Sequence, residues 1–211
     1  MGIKEHNKDT EQKILKYAEE EFLSKGYAGA RTTSIAEAAG VTHAMLHYYF
    51  RTKDKLFERI LQEKTTKLHD MLIESVTVQD ENAQIEEVVR EIISSHLDFL
   101  CQNPELPGFL IGEMQRNPQF SKFVEDNLKS FSVQLFAKLG KLIDKGVQEG
   151  KLNPINEETI MLDIISLNIF AFMARPLVNA ILGGCMNDIE EFVESRKKEN
   201  FDTIMCKLRK Q

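Results

Sequence analysis

Residues 41–56 read VTHAMLHYYFRTKDKL, and residues 31–40 before them read RTTSIAEAAG. The segment VTHAMLHYYF packs two histidines, two tyrosines, a phenylalanine and a methionine into ten residues, and Arg51, Lys53 and Lys55 follow. That mixture is too aromatic for an ordinary solvated helix and too polar for a buried one. Spacing separates its two sides. A helix from about Thr33 to Ala39 buries Ile35, Ala36 and Ala39, and Gly40 makes a turn. A second helix opens after Thr42, an N-cap candidate, and ends near Phe50. With Leu46 at the centre of its inward face, Phe50 lies beside it and Thr42 and Tyr49 lie at the flanks. Ala44 and Tyr48 then point outward, with His47 and Met45 on either side. Two short helices around a glycine turn match a helix-turn-helix, whose second helix enters the major groove of DNA.

The rest of the chain reads as helix too. No period-2 alternation is sustained, and only five prolines interrupt 211 residues. Asp9 or Thr10 is the expected N-cap of a first helix with Ile14, Leu15, Ala18 and Phe22 as its stripe and Gly26 as its C′ residue. Ser34 and Glu37 offer a second capping pair if the second helix starts one residue later, and Asp54 can cap a long fourth one reaching about Ser75. After a polar break at 77–82, helices are expected at about 84–101, 106–115, 120–149, 157–174 and 189–209. Asn156 and Asp188 are expected to cap the last two, and a kink is expected at Pro176.

Charge places the function at one end. The net charge is −6, but residues 1–55 carry nine Lys+Arg against eight Asp+Glu. An anion-binding role therefore belongs to this quarter and is local. Small Ala44 lets the helix approach a groove floor, and His47 and Tyr48 donate to phosphates or base edges. Thr42 and His43 sit at the helix N-terminus, where free N–H groups favour a phosphate. Thr32 and Thr33 are placed for the opposite strand, Lys53 adds charge just past the helix, and Arg31 reaches a phosphate or a guanine edge.

These residues carry a resemblance. The pattern Phe22…Gly26-Tyr27…Thr32-Thr33-x-Ile35-Ala36-x-x-Ala39-Gly40-Val41-Thr42-x-x-x-Leu46-x-Tyr48-Tyr49-Phe50-x-x-Lys53-Asp54-x-Leu56 resembles the DNA-binding domain of TetR-family transcriptional regulators over about residues 9–60. The expected fold is all-α: a three-helix helix-turn-helix domain at 1–53, joined by a long helix to a ligand-binding and dimerisation domain at 54–211. Arg31, Thr32, Thr33, Thr42, His43, Ala44, Met45, His47, Tyr48, Tyr49 and Lys53 form the expected contact set with double-stranded DNA. His47 stands where the family usually has tyrosine, Ala44 where glycine or proline is frequent, and Ala30 lacks a common hydroxyl. A histidine contacts phosphate partly as a cation near neutral pH, so DNA affinity is expected to weaken as pH rises from about 6 to 8.

The resemblance also implies a cavity for a small effector of unknown identity, with Phe99, Phe109, Met114, Phe131 and Phe170 as partial lining. Few charges interrupt these stripes, so an apolar or amphipathic effector is expected. Leu162, Ile165, Ile169, Phe172 and Met173 form one apolar side, and Phe192, Phe201, Ile204 and Met205 another, so a homodimer through a four-helix bundle is expected. A palindromic operator needs such a dimer. By resemblance, effector binding swings the fourth helix and releases the operator, which makes the chain a repressor.

Other chemistry is poorly supported. His43-x-x-x-His47 has metal spacing but no third ligand, so no metal or cofactor is expected. His69 with Asp70 and His96 with Asp98 read as surface pairs, and no nucleophile and base converge on an enzyme site. Cys101, Cys185 and Cys206 are widely spaced and read as reduced thiols in a cytoplasmic protein, serving as small apolar residues. Residues 161–182 are apolar but hold Asp163 and Arg175, which points to a helix buried against a partner and not to a membrane. The rival reading is a helical protein–protein adaptor that uses the same surface without DNA.

Overall fold

The computed structural model describes residues 2–77 and 84–210, with side chains at 8–72, 84–129 and 133–210. The expected polar break at 77–82 lies outside the described residues except at Thr77. The helices are α1 (Gly2–Gly29), α2 (Thr32–Ala38), α3 (His43–Phe50), α4 (Lys53–Thr77), α5 (Ile85–Gln102), α6 (Leu106–Arg116), α7 (Pro118–Gln148), α8 (Glu157–Met173), α9 (Arg175–Ile181) and α10 (Ile189–Leu208). An isolated antiparallel bridge joins Leu152 to Arg209. The chain is all-α, with an N-terminal helix-turn-helix and a C-terminal helical region.

The helices divide into two compact units. Met1–Thr66 and Phe109–Glu125 form the first, Lys67–Gly108 and Asp126–Gln211 the second. The division drawn at Lys53 and Asp54 therefore falls inside the first unit. The reason is apolar. Leu56, Phe57, Ile60 and Leu61 of α4, and Phe120 and Val124 of α7, share one buried cluster with Ile14, Ala18, Phe22, Ile35 and Leu46. Phe57 is its hub, with ring centroids 4.7 Å from Phe22, 4.9 Å from Tyr27, 5.0 Å from Phe120 and 5.7 Å from Phe109. Each such ring pair adds roughly 0.5–1.5 kcal/mol beyond the area it buries.

Three helix starts differ from expectation. α1 begins at Gly2, upstream of the caps expected at Asp9 or Thr10; no glycine or proline between Ile3 and Lys8 stops it. α2 begins after Arg31 with no side-chain cap, so Ser34 and Glu37 do not form one. The Arg31 N–H donates instead to Glu21 Oε1 at 3.1 Å, and neighbouring Lys25 holds that carboxyl below the usual range. Asp54 does not cap α4: Thr52 Oγ1 accepts the Lys55 N–H at 3.2 Å, while Asp54 accepts the Tyr27 hydroxyl.

In the second unit α10 packs along α5 and α8, and α9 follows α8 after a bend of 80°. Asn156 and Asp188 cap α8 and α10, accepting from Thr159 N at 2.9 Å and Glu191 N at 3.0 Å. Val89, Ile93, Leu97, Ile160, Ile164, Ile204, Met205 and Leu208 make the core. A polar chain runs through it. His96 lies 3.2 Å from the Asn168 amide nitrogen, and Asn168 Oδ1 accepts from Asn200 Nδ2 at 2.7 Å. His96 is 7 % exposed, so it is not a surface partner of Asp98; Asp98 pairs with Lys197 at 2.7 Å. Burial pushes the His96 imidazole down to about 4. The expected surface pair His69–Asp70 is present at 3.1 Å.

The apolar stripes sort differently from the expected dimer face. Phe172, Phe201, Ile204 and Met205 are buried inside the chain. Ile169 and Phe192 are half-buried. Leu162 and Ile165 are exposed, in company with Phe170, Met173, Leu177, Ile181 and Leu182. α8 is apolar all round, so its sequence does not say which side meets the core. Cys101 is half-buried, whereas Cys185 and Cys206 are exposed and so are not core residues. Among the described residues, no single helix is long and apolar enough to cross a membrane.

Candidate nucleic-acid interface

The turn between α2 and α3 is built by hydrogen bonding and one glycine. Gly40 N donates to Glu37 O at 3.1 Å and Val41 N to Ala36 O at 2.9 Å. Gly40 holds φ +67°, which side-chain-bearing residues rarely adopt, although a Cβ there would meet nothing within 4 Å. Conformation, not space, requires the glycine. Thr42 then caps α3, accepting the Met45 N–H at 3.2 Å. Leu46 and Phe50 anchor α3 at 1 % and 6 % exposure, close to Ile35 and Ala36 of α2 in the same cluster. A short helix held at two points presents its other side rigidly.

That other side is the expected one. Thr42, His43, Ala44, Met45, His47 and Tyr48 are all exposed, Tyr48 at 71 %. Tyr49 is half-buried and meets Tyr48 edge-on, with centroids 5.5 Å apart. His43 and His47 stack edge to face at 4.7 Å. His43 Nε2 also lies 3.0 Å from Thr32 Oγ1, which ties the start of α2 to α3. Arg31 and Thr33 are exposed beside them. The face offers imidazoles, hydroxyls, one guanidinium and the free N–H groups of a helix start, which suits phosphates and base edges.

Lys53 departs from this set. Its ammonium donates to Ala30 O at 2.7 Å and lies 4.6 Å over the Tyr27 ring. It closes the α1–α2 joint inward. Sequence reasoning missed this role, and with it Glu113, which is 6 % exposed and accepts the Tyr27 N–H at 3.3 Å. Their partners lie 23 and 86 residues away, and no local pattern signals either. Arg51, at the C-terminus of α3, holds φ +60° and is exposed, with its N–H on His47 O at 3.0 Å.

The expected effector residues are distributed over both units. Phe109 and Met114 pack on the core of the first unit. Phe99 is buried in the second unit, and Phe170 is 62 % exposed, so it does not line an enclosed cavity of the single chain. The side chain of Phe131 lies outside the described residues. A cleft of ≈ 150 Å³ in the second unit is lined by Ile85, Leu142, Leu152, Glu86, Lys145 and Lys151 among others, and by none of the five. Sites for drug-sized ligands measure roughly 300–1,000 Å³. No three His, Cys, Asp or Glu side chains among the described residues are grouped to hold a metal.

Comparison with known proteins matches both regions. The family model of bacterial regulatory proteins of the tetR family matches residues 14–60, and that of the tetracyclin repressor-like C-terminal domain matches residues 86–204. The chain is 25% identical over 150 residues to the HTH-type transcriptional repressor NicS of Pseudomonas putida, covering 71% of this chain and 69% of that one. It is 27% identical over 193 residues to the HTH-type transcriptional regulator RutR of Escherichia coli, covering 91% and 86%. Among solved structures, the ketosteroid regulator KstR2 of Mycobacterium tuberculosis superposes with a TM-score of 0.69 at 16% identity, covering 95% of each chain. The regulator FadR of Bacillus subtilis, solved with stearoyl-CoA, gives 0.68 at 18%, covering 92% and 96%. At these identities the structures speak for the fold alone.

Proposed function

We infer the function from a premise now in hand: the chain belongs to the tetR family of bacterial regulatory proteins. It is a DNA-binding transcriptional regulator. Its finer description is a homodimeric repressor that leaves a palindromic operator when a small apolar or amphipathic effector binds, and that works in the cytoplasm.

The observation that carries the DNA reading is the α3 face. Tyr48 is 71 % exposed while Leu46, two residues earlier, is 1 % exposed. Ala44, Met45, His47 and Tyr48 are assigned to base edges and nearby phosphates. Arg31, Thr32, Thr33, Thr42, His43 and Tyr49 are assigned to the phosphates around them. Lys53 reaches phosphate only with what its ammonium retains beyond Ala30 O, so its main contribution is to hold the joint. Repression is supported by the Pseudomonas putida relative NicS, a transcriptional repressor. Dimerisation is assigned to the exposed run Leu162, Ile165, Phe170, Met173, Leu177 and Ile181 on α8 and α9. So many large exposed apolar side chains on two successive helices suit burial against a partner.

The test is selection of duplexes from a random DNA pool by the purified protein, followed by sequencing. Enrichment of a palindrome, with affinity that falls steeply with salt, is the expected result. Absence of any salt-dependent DNA binding would instead favour the protein–protein adaptor.

A further inference from the structure

We propose that Glu113 is a positioning residue for the DNA-reading head, a latch that ties the α1–α2 joint directly to α6. Its carboxylate is 6 % exposed, and one oxygen, Oε1, accepts the Tyr27 backbone N–H at 3.3 Å. The same oxygen accepts from the Arg116 guanidinium at 3.3 Å, but Arg116 is 73 % exposed, so solvent screens that pair. The buried contact is therefore the one to the joint. Gly26 is shaped around it: φ is +69°, and a Cβ there would stand 3.3 Å from Glu113 Oε1. Removing the carboxylate would leave a backbone donor without its partner just after the non-helical Gly26 kinks α1.

The joint is gripped from α4 as well. The Tyr27 hydroxyl donates to Asp54, and Lys53 crosses the Tyr27 ring to reach Ala30 O. Residues 26–30 lead straight into α2, which packs on α3. Two helices thus hold one short segment, α4 through a ring and α6 through a carboxylate. α6 begins at Leu106, among the residues of the second unit, and Glu113 lies among those of the first. Because a helix moves as a rigid rod over such a length, a shift of α6 moves the latch without passing through α4. By linkage, DNA held at the α3 face must in turn bias α6.

The proposal rests on the DNA-binding reading, and the experiment separates the two. Amide hydrogen exchange is measured on the full chain, with and without the selected duplex, for wild type, Glu113→Ala and Glu113→Gln. In wild type, DNA is expected to slow exchange both at 43–50 and at 106–116. In Glu113→Ala the Tyr27 amide should exchange about tenfold faster in the free protein and operator affinity should fall about tenfold, the effect of losing one buried hydrogen bond. Slowing at 43–50 should persist and that at 106–116 should vanish. Glu113→Gln keeps an acceptor and should restore both. Should Glu113→Ala not fold, Glu113→Asp, shorter by one methylene, gives the same reading. The latch is overturned if DNA leaves 106–116 unchanged in wild type, or if the slowing there survives loss of the carboxylate. If wild type binds no duplex, the DNA reading falls by itself. The Tyr27 amide still decides the contact, and unchanged exchange in Glu113→Ala would remove it.

Discussion

The exposed face of α3 and the exposed face of α8–α9 have similar accessibility and opposite chemistry. Tyr48 and Met45 on α3 are 71 % and 41 % exposed; Leu162 and Phe170 on α8 are 64 % and 62 %. On α3 the apolar atoms are interleaved with His43, His47 and the hydroxyls of Thr42 and Tyr48. On α8–α9 the large exposed side chains are Leu, Ile, Phe and Met, with the Ser166 hydroxyl as a small donor beside them. The first face can order itself against a charged, hydrogen-bonding surface. The second gains mainly by excluding water. Exposure of hydrophobic side chains does not identify a partner; the donors among them do.

The sharpest way to break this comparison is a pair of variants on neighbouring helices. Phe201→Ala empties a buried site and should cost about 3–5 kcal/mol in a urea melt. Leu162→Asp should leave the melt of the single chain nearly unchanged and convert dimer to monomer in analytical ultracentrifugation. Equal loss of stability in both, with no change of mass, would show that the two sides of the bundle are not distinct.

Acid comes next. His96 is held neutral by burial, with its imidazole pushed down to about 4. The unfolded chain therefore takes up a proton that the folded chain refuses. Stability should be whole above about pH 6.5 and fall by about 3 kcal/mol as pH drops toward 4. Urea midpoints at pH 7 and pH 4.5 measure this, and His96→Gln should flatten that part of the slope. The polar chain to Asn168 and Asn200 belongs to the second unit, so the loss should appear there before it appears in the head.

Thr42→Ala removes the cap of α3 and should cost about 1 kcal/mol of stability, read by thermal unfolding, with a further loss in operator affinity. The smallest effect belongs to the most exposed ring. Tyr48→Phe removes one hydroxyl from a side chain that supports nothing inside the protein. Stability should stay within about 0.5 kcal/mol, while operator affinity falls several-fold, about 1 kcal/mol for one hydrogen bond. A Tyr48→Phe variant that melts lower but binds DNA as before would reverse the assignment of that face.

The helix-turn-helix was legible because its signals are local. Gly40, the Thr42 cap, Leu46 and Phe50 each stand within four residues of the next, and each has a physical reason to recur. The helices beyond it were legible for the same reason, down to the caps at Asn156 and Asp188. Where the structure departs from an expected cap, at Asp9 and Asp54, a longer helix or a competing donor decides. At Asp54 that competitor was Tyr27, half-buried and 27 residues away.

An all-helical chain, a reading head near its N-terminus and the outward side of α3 can all be read from the order of residues. Those follow from backbone capping and from one amphipathic period, which need no knowledge of what lies far along the chain. It takes the packing of distant segments to show that 109–125 completes the core of the head, that Lys53 and Glu113 turn inward, that His96 is buried and that Phe172, Phe201, Ile204 and Met205 serve the single chain. An apolar side chain gains nearly the same free energy against any apolar partner. A stripe such as that of α8 therefore says that burial will occur and not against what; packing between distant segments makes that choice.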